Sequence, residues 1–469
     1  MISWVQENLV SVAYSLKVMQ VWVKKDDSPH LQAKSSYLPA SNMTRKERIL
    51  IVLLASINFT HILDFMIMMP LGNYLMPFFD ITPRQFSFLV GAYPITAFFS
   101  GFIAAFFVDS HDRKKVLVFA YIGFLIGTLA CGTSPTYGLL LASRILTGLF
   151  GGLIGAQVLS IVADLFGYER RGAAMGAVMS SFAIASTIGV PFALYLSNIF
   201  SWHAPFIFVV AIGVVIVLLV IRYIPNMDSH IVAKDDTKHR FHVLLSVVGS
   251  REQSLALVFS ALVMMGHFLI IPFINPYLEF NKNYSRDITP LIYFFGGIAS
   301  FGAALVLGRL SDRVGKLKVF SWAVFLSFIM VWIITNLPSL LPFSVVLLFF
   351  AIWFVVATGR AVTAQAMISN VVKQEQRGSF MTFNSSVQQL GTGAASLIAG
   401  FIVTKDSAGK LYRYEWVGYI SIVVLLLGLL LGRHLFAGMD KTPGDKLLEE
   451  VPASEDMPVK EVTDVSIKS

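Results

Sequence analysis

Asp64 lies within Thr60-His61-Ile-Leu-Asp64-Phe65, in an apolar segment at 49–78 long enough to cross a bilayer as a helix. About fifteen residues into that helix, at ~1.5 Å per residue, it reaches the middle of the hydrocarbon. Lost hydration drives a carboxylate there toward its neutral form, and an arginine or an arriving cation drives it back, so such a group can exchange a proton for a solute. Arg144 also stands in an apolar segment, where insertion costs on the order of 2.5–3.5 kcal/mol and calls for a partner or a wet cavity. Asp64, Arg144 and His61, one helical turn from Asp64, are therefore the candidate proton-coupling residues. A purely structural Asp64–Arg144 pair is the alternative.

Other polar side chains interrupt apolar stretches. Asn58, Gln157, His267, Arg360, Gln365, Asn384 and Gln388 are candidates to line an internal cavity, because an unsatisfied polar group facing lipid is expensive. Imidazole rings titrate near neutrality in water, which makes His61 and His267 possible proton carriers. Each can equally hydrogen-bond within a helix interface, the reading favoured for His267. Glu279, with Asn275 and Tyr277, forms either an external gate or a solvated helix end.

The elements that must hold these residues are membrane helices. Of the 469 residues 56% are hydrophobic and 14% charged. Twelve apolar segments can be read, at 49–78, 84–108, 115–134, 137–166, 172–200, 204–224, 253–280, 288–310, 317–337, 343–371, 378–404 and 414–436, numbered here as spans 1 to 12. Landmarks recur at a spacing of about two hundred residues, the mark of an internal repeat. Asp80-Ile-Thr-Pro83 returns at Asp287-Ile-Thr-Pro290, His61 and Pro70 return as His267 and Pro276, and Glu169, Arg171 and Gly172 return as Glu375, Arg377 and Gly378. Two such halves around a central site suit alternating access.

The expected organisation is a cytoplasmic N-terminal segment at 1–47, a six-helix half at 48–224, a linker at 225–251, a second six-helix half at 252–436 and a disordered cytoplasmic tail at 437–469. The apolar stripe Val5, Leu9, Val12, Leu16, Met19 and Val23 could lie on the membrane surface, or translation could start at Met43. Basic residues concentrate on one set of loops, including Arg113, Lys114, Lys115, Arg313, Lys316 and Lys318, which places that side and both termini in the cytoplasm.

This topology accounts for the net charge of +8 without nucleic-acid binding. The lone Cys131 excludes an internal disulfide and a cysteine metal site. No nucleophile with a partnered base appears, and although His61 and Asp64 could supply two metal ligands, nothing completes a set. The expectation is neither enzyme, cofactor nor bound metal.

The loop Gly308-Arg-Leu-Ser-Asp312-Arg313-Val-Gly315-Lys316-Leu-Lys318 resembles the signature loop of the major facilitator superfamily. Its counterpart Ala105-Phe-Phe-Val-Asp109-Ser-His-Asp112-Arg113 is a degenerate copy in which Ala105 and Asp112 replace two glycines. The resemblance implies a conformational latch of Asp109 and Arg113 with Asp164, and of Asp312 and Arg313 in the second half. Arg144-Ile-Leu-Thr-Gly148 with Gly151, Gly152 and Gly155 is similar to the superfamily's buried-arginine motif, and these glycines also suit close helix packing. Gly189-Val190-Pro191 resembles the antiporter element of twelve-span drug and proton exchangers, and is also a simple helix kink at Gly189 and Pro191. Asp64-Phe65 resembles the acidic-Phe element of arabinose, sugar and purine-base efflux permeases.

The resemblance implies an all-α major facilitator fold of twelve helices in two pseudo-symmetric halves. It further implies a monomeric, proton-coupled exporter of a drug, sugar or nucleobase in the inner membrane of a bacterium. A proton-driven importer is the nearest rival, followed by a non-transporting sensor.

Overall fold

The computed structural model describes residues 43–107, 111–166, 168–225, 227, 250–372 and 377–438. The expected surface helix and tail lie outside these residues, as does most of the linker. Span 1 begins at Arg45, slightly ahead of its expected start, runs to Ile67 and resumes as Gly72–Phe78. Pro70 sits in the break, where a residue without an N–H cannot continue the ladder. Span 7 repeats the pattern: Arg251–Phe268 gives way to short irregular turns through Pro272 and Pro276 that end at Asn281. Span 5 consists of Tyr168–Ile184 and Val190–Ile199 joined by a π-helical turn at Ala185–Gly189, just before Pro191. Such a widened turn is one way a helix absorbs a proline.

The remaining spans are Pro83–Phe107 (2), Arg113–Gly132 (3), Tyr137–Leu165 (4), Ala204–Tyr223 (6), Pro290–Val314 (8), Lys316–Thr335 (9), Phe343–Ile368 (10), Arg377–Ile402 (11) and Tyr414–Phe436 (12). Among the described residues, eleven spans are both long and apolar enough to cross a membrane. Span 11, at 26 residues, has the length. Thr382, Asn384, Ser385, Ser386, Gln388, Gln389, Thr392 and Ser396 make it more polar than the apolar segment expected. A short antiparallel hairpin, β1 (Thr404–Lys405) with β2 (Leu411–Tyr412), links it to span 12.

The packing carries the repeat into three dimensions. In the first half span 4 packs on spans 2 and 3, span 1 on spans 5 and 6, and span 3 on span 6. In the second half span 10 packs on spans 8 and 9, span 7 on spans 11 and 12, and span 9 on span 12. The seams between halves are equivalent too, span 2 against span 11 and span 5 against span 8. Gly91 and Gly393 let the first seam close, since a Cβ on either would come within 3.4 Å of the other's carbonyl. Large apolar side chains such as Phe119, Leu218, Trp322, Phe325 and Leu430 face outward, whereas Asp64, Arg144 and Arg360 are inside. That inversion is what a hydrocarbon solvent selects.

Candidate functional site

Asp64 and Arg144 meet. Arg144 Nη1 donates to Asp64 Oδ2 at 2.7 Å, and both side chains are fully buried. The guanidinium lies over the Tyr93 ring, 5.0 Å from its centre. The second carboxylate oxygen, Oδ1, has no hydrogen-bond partner; the Thr128 hydroxyl beside it has none either. A protonatable oxygen is thus held within reach of a hydroxyl and a fixed cation.

From Tyr93 a polar chain leads back into span 1. The Tyr93 hydroxyl lies 3.2 Å from His61 Nδ1, and His61 Nε2 lies 2.9 Å from Asn58 Oδ1. Asn58 Nδ2 donates to Ser181 Oγ at 2.7 Å and to Val178 O at 3.1 Å in span 5. Because Asn58 presents its oxygen, His61 Nε2 must donate, and a neutral His61 then accepts the Tyr93 hydroxyl at Nδ1. The chain joins spans 2, 1 and 5.

Glycines bring these groups together. A Cβ at Gly148 would collide with the Tyr93 carbonyl, one at Gly152 with the Ala97 carbonyl, and one at Gly151 with the Tyr93 hydroxyl. Span 4 therefore lies against the span 2 backbone, setting Tyr93 beside Arg144. Gly155 faces open space.

The second half is arranged differently. By the spacing that relates His61 to His267, Ile270 stands where the first half has Asp64, and Phe350 where it has Arg144. His267 stacks on Trp353 at 4.7 Å, and its Nδ1 has no hydrogen-bond partner. The hydrogen bond favoured for it gives way to stacking, because its neighbours are aromatic. Arg360, 1% exposed, is close enough to His267 to act on it electrostatically, and its Nε and Nη1 are unbonded. Both amide atoms of Gln157 and of Asn384 are also buried without partners among the described residues. Gln365 and Gln388 do meet, at 3.3 Å, with Gln388 donating to Ser260 Oγ at 2.9 Å.

One end of the molecule is closed by a network between the halves. Asn73 and Glu279 occupy equivalent positions of the repeat, and Asn73 Nδ2 donates to Glu279 Oε2 at 2.6 Å. Arg286 Nε pairs with the same oxygen at 3.1 Å, and Thr289 Oγ1 donates to Oε1 at 3.1 Å. Asn275 Nδ2 donates to Pro70 O at 3.2 Å, and Tyr74 donates to Asn198. Nearby, Lys282 reaches the Leu337 carbonyl, and burial draws its ammonium below the usual lysine range. Glu279 is buried and bonded across the halves, so it is not a solvated helix end.

At the opposite end the described ion pairs stay within one half. Arg113 Nε meets Asp164 Oδ2 at 2.5 Å, and Arg170 meets Glu47 at 2.8 Å. Asp109 lies outside the described residues. Asp112, standing where the family loop has glycine, caps span 3 by accepting from Lys114 N at 2.8 Å and Lys115 N at 3.2 Å. Its φ is −57°, so no glycine is needed, whereas its counterpart Gly315 sits at φ 114°, which favours glycine. In the second half Asp312 pairs with Lys316 of the adjoining helix at 3.0 Å, and Arg313 is exposed.

Sequence reasoning missed Tyr93, Thr128, Ser181 and Trp353, which carry no signal beyond residue type. Asn73 was detectable, because the repeat maps it onto Glu279.

Comparison with known proteins gives a consistent picture. A family model described as Major Facilitator Superfamily matches residues 54–357 and again 256–463. The Bacillus subtilis (strain 168) protein "Uncharacterized MFS-type transporter YceJ" is 22% identical over 72% of this chain and 85% of its own length. A Helicobacter pylori (strain P12) protein, "Probable sugar efflux transporter", is 22% identical over 71% of this chain and 81% of its own. Among solved structures, an inward-facing, unoccupied bacterial homologue of the human lysosomal transporter Spinster superposes with TM-score 0.67. It is 15% identical, with 86% of this chain and 100% of that one covered. A mutant of the nucleoside transporter NupG superposes with TM-score 0.66 at 13% identity, over 82% of this chain and 100% of that one.

Proposed function

Because the chain belongs to the major facilitator superfamily, whose members carry small molecules across membranes rather than catalyse reactions, we propose that it is a proton-coupled exporter working by alternating access. The observation that carries this reading is the fully buried Asp64–Arg144 pair, with one carboxylate oxygen unbonded. Protonation at Oδ1 would neutralise Asp64 and loosen its hold on Arg144. Loss of that proton would restore the pair. A change in this pair reaches Tyr93 through the guanidinium above its ring, and thence His61, Asn58 and span 5, which packs on span 8 across the seam. Proton binding is thereby linked to the contact between halves.

In this scheme the Glu279 end faces outward and is closed, and the Arg113 end faces the cytoplasm with both termini. Arg113 and Asp164, already paired within the first half, belong with Asp109 to the cytoplasmic latch, with Asp312 and Arg313 its second-half equivalents. The π-helical turn before Pro191 gives span 5 a place to flex. Export, as a monomer in a bacterial inner membrane, follows the family neighbourhood, which includes a protein named for sugar efflux.

The test is flux and proton release in proteoliposomes with an imposed pH gradient, using labelled arabinose, uracil, ethidium and benzoate. The expected result is gradient-driven flux of at least one solute in wild type and loss of that flux in Asp64→Asn, with solute counterflow preserved. Asn keeps size and a hydrogen bond but cannot cycle a charge. Undiminished gradient-driven flux in folded Asp64→Asn protein would sink the assignment.

A further inference from the structure

Among the described residues two arginines are buried in membrane helices, and a carboxylate pairs with only one. Arg144 is neutralised by Asp64 at 2.7 Å. Arg360 in span 10 is as deeply buried, its Nε and Nη1 have no hydrogen-bond partner, and no carboxylate pairs with it among the described residues. An arginine does not shed its charge at physiological pH, so this cation cannot be silenced by deprotonation as a buried lysine could.

Its surroundings offer shape but no counter-charge. His267, near enough to feel its charge, stacks on Trp353 with ring centres 4.7 Å apart, and His267 Nδ1 and Trp353 Nε1 are buried and unbonded. The aromatic line continues from His267 to Phe268 at 5.4 Å, then across the halves to Phe65 at 5.9 Å and Tyr93 at 5.4 Å. Tyr93 carries Arg144 over its ring. The unpaired cation thus stands at one end of an aromatic path whose other end is the Asp64–Arg144 pair.

We propose that Arg360 is the anion-binding residue of the substrate site, and that the transported solute is a small organic carboxylate with a flat apolar body. The inference rests on the transport reading above and deepens it by naming the solute's chemical class. A guanidinium pairs with a carboxylate through charge-assisted hydrogen bonds, and the unbonded Nε and Nη1 are donors left for it. The carboxylate supplies the charge that the second half lacks. The His267–Trp353 face packs the flat body by stacking. Cationic solutes are repelled by the same residue, and neutral ones leave its charge uncompensated.

Benzoate and its uncharged isostere benzamide, with salicylate and salicylamide as a second pair, test this on purified full-length protein without a proton gradient. Binding is read by calorimetry and by the shift in thermal unfolding. Wild type should bind each carboxylate at least about tenfold tighter than its amide, a difference within reach of a single charge-assisted pairing. Arg360→Gln should abolish that preference. Arg360→Lys, which keeps the charge but loses the guanidinium, should retain the preference with weaker binding. Equal binding of acid and amide by wild type, no binding of either carboxylate, or an unchanged preference in Arg360→Gln would each overturn the proposal. Should Arg360→Gln not fold, the acid–amide comparison in wild type and Arg360→Lys still decides. Arg360-dependent benzoate binding without proton-coupled flux would defeat the coupling scheme and leave the anion site standing. Asp64-dependent flux of an uncharged solute, indifferent to Arg360→Gln, would do the reverse.

Discussion

Asp64 and Arg144 each carry a charge that this interior penalises when alone and penalises less as a pair. Removing one member of a buried pair strands the other charge, at a cost of about 3–5 kcal/mol, whereas replacing both with apolar residues of similar volume is often neutral. Arg144→Leu should therefore destabilise the protein strongly, and the double variant Asp64→Leu/Arg144→Leu should recover most of the loss. Thermal unfolding of the four proteins in detergent, analysed as a double-mutant cycle, provides the check. Additive effects of the two substitutions would show that the pair is not energetically coupled, despite its 2.7 Å separation.

At the level of the helix pair, the site depends on how closely span 4 approaches span 2. Gly148 and Gly152 lie against carbonyls of span 2, which unlike side-chain ends cannot rotate away. Gly148→Ala should cost about 1–3 kcal/mol, the range for overpacking a filled interface. It should also disturb transport, because the helix it displaces carries Arg144. Gly155→Ala, on the same helix but with nothing near the added methyl, should leave both stability and transport unchanged. Equal effects of the two alanines would mean that helix propensity rather than packing is being measured. The kinks in spans 1 and 7 belong to this scale as well. Pro70 and Pro276 are repeat equivalents, and the broken segments around them supply Asn73, Asn275 and Glu279 to the closed end.

For the whole molecule, the loop charges predict a sidedness. In a Cys131→Ser background, Thr133→Cys and Ser339→Cys, both exposed on connections at the Glu279 end, should react with a membrane-impermeant maleimide applied to intact cells. Lys318→Cys, exposed at the opposite end, should react only after permeabilisation. The reverse pattern would invert the topology. Spans 2 and 11, and spans 5 and 8, pack against each other across the seam between halves. Rocking of paired repeats about a central site is the motion such a seam permits.

Much of this protein is legible in its sequence because hydrocarbon is an unforgiving solvent. A charge within an apolar run stands out, so Asp64, Arg144 and Arg360 are visible before any folding is known, and a repeat in sequence becomes a repeat in packing. Loop charge and helix length belong to single segments and need no partner to be read. The partners themselves were decided by tertiary structure. Helical phase and tilt, set by glycine contacts and proline breaks, place Tyr93 under Arg144, pair Asn73 with Glu279, and turn His267 from an expected hydrogen bond onto the face of Trp353. The same packing leaves Arg360 without a counter-ion. A sequence announces which side chains cannot remain alone, but only the crossing of helices distant along the chain determines which of them are met.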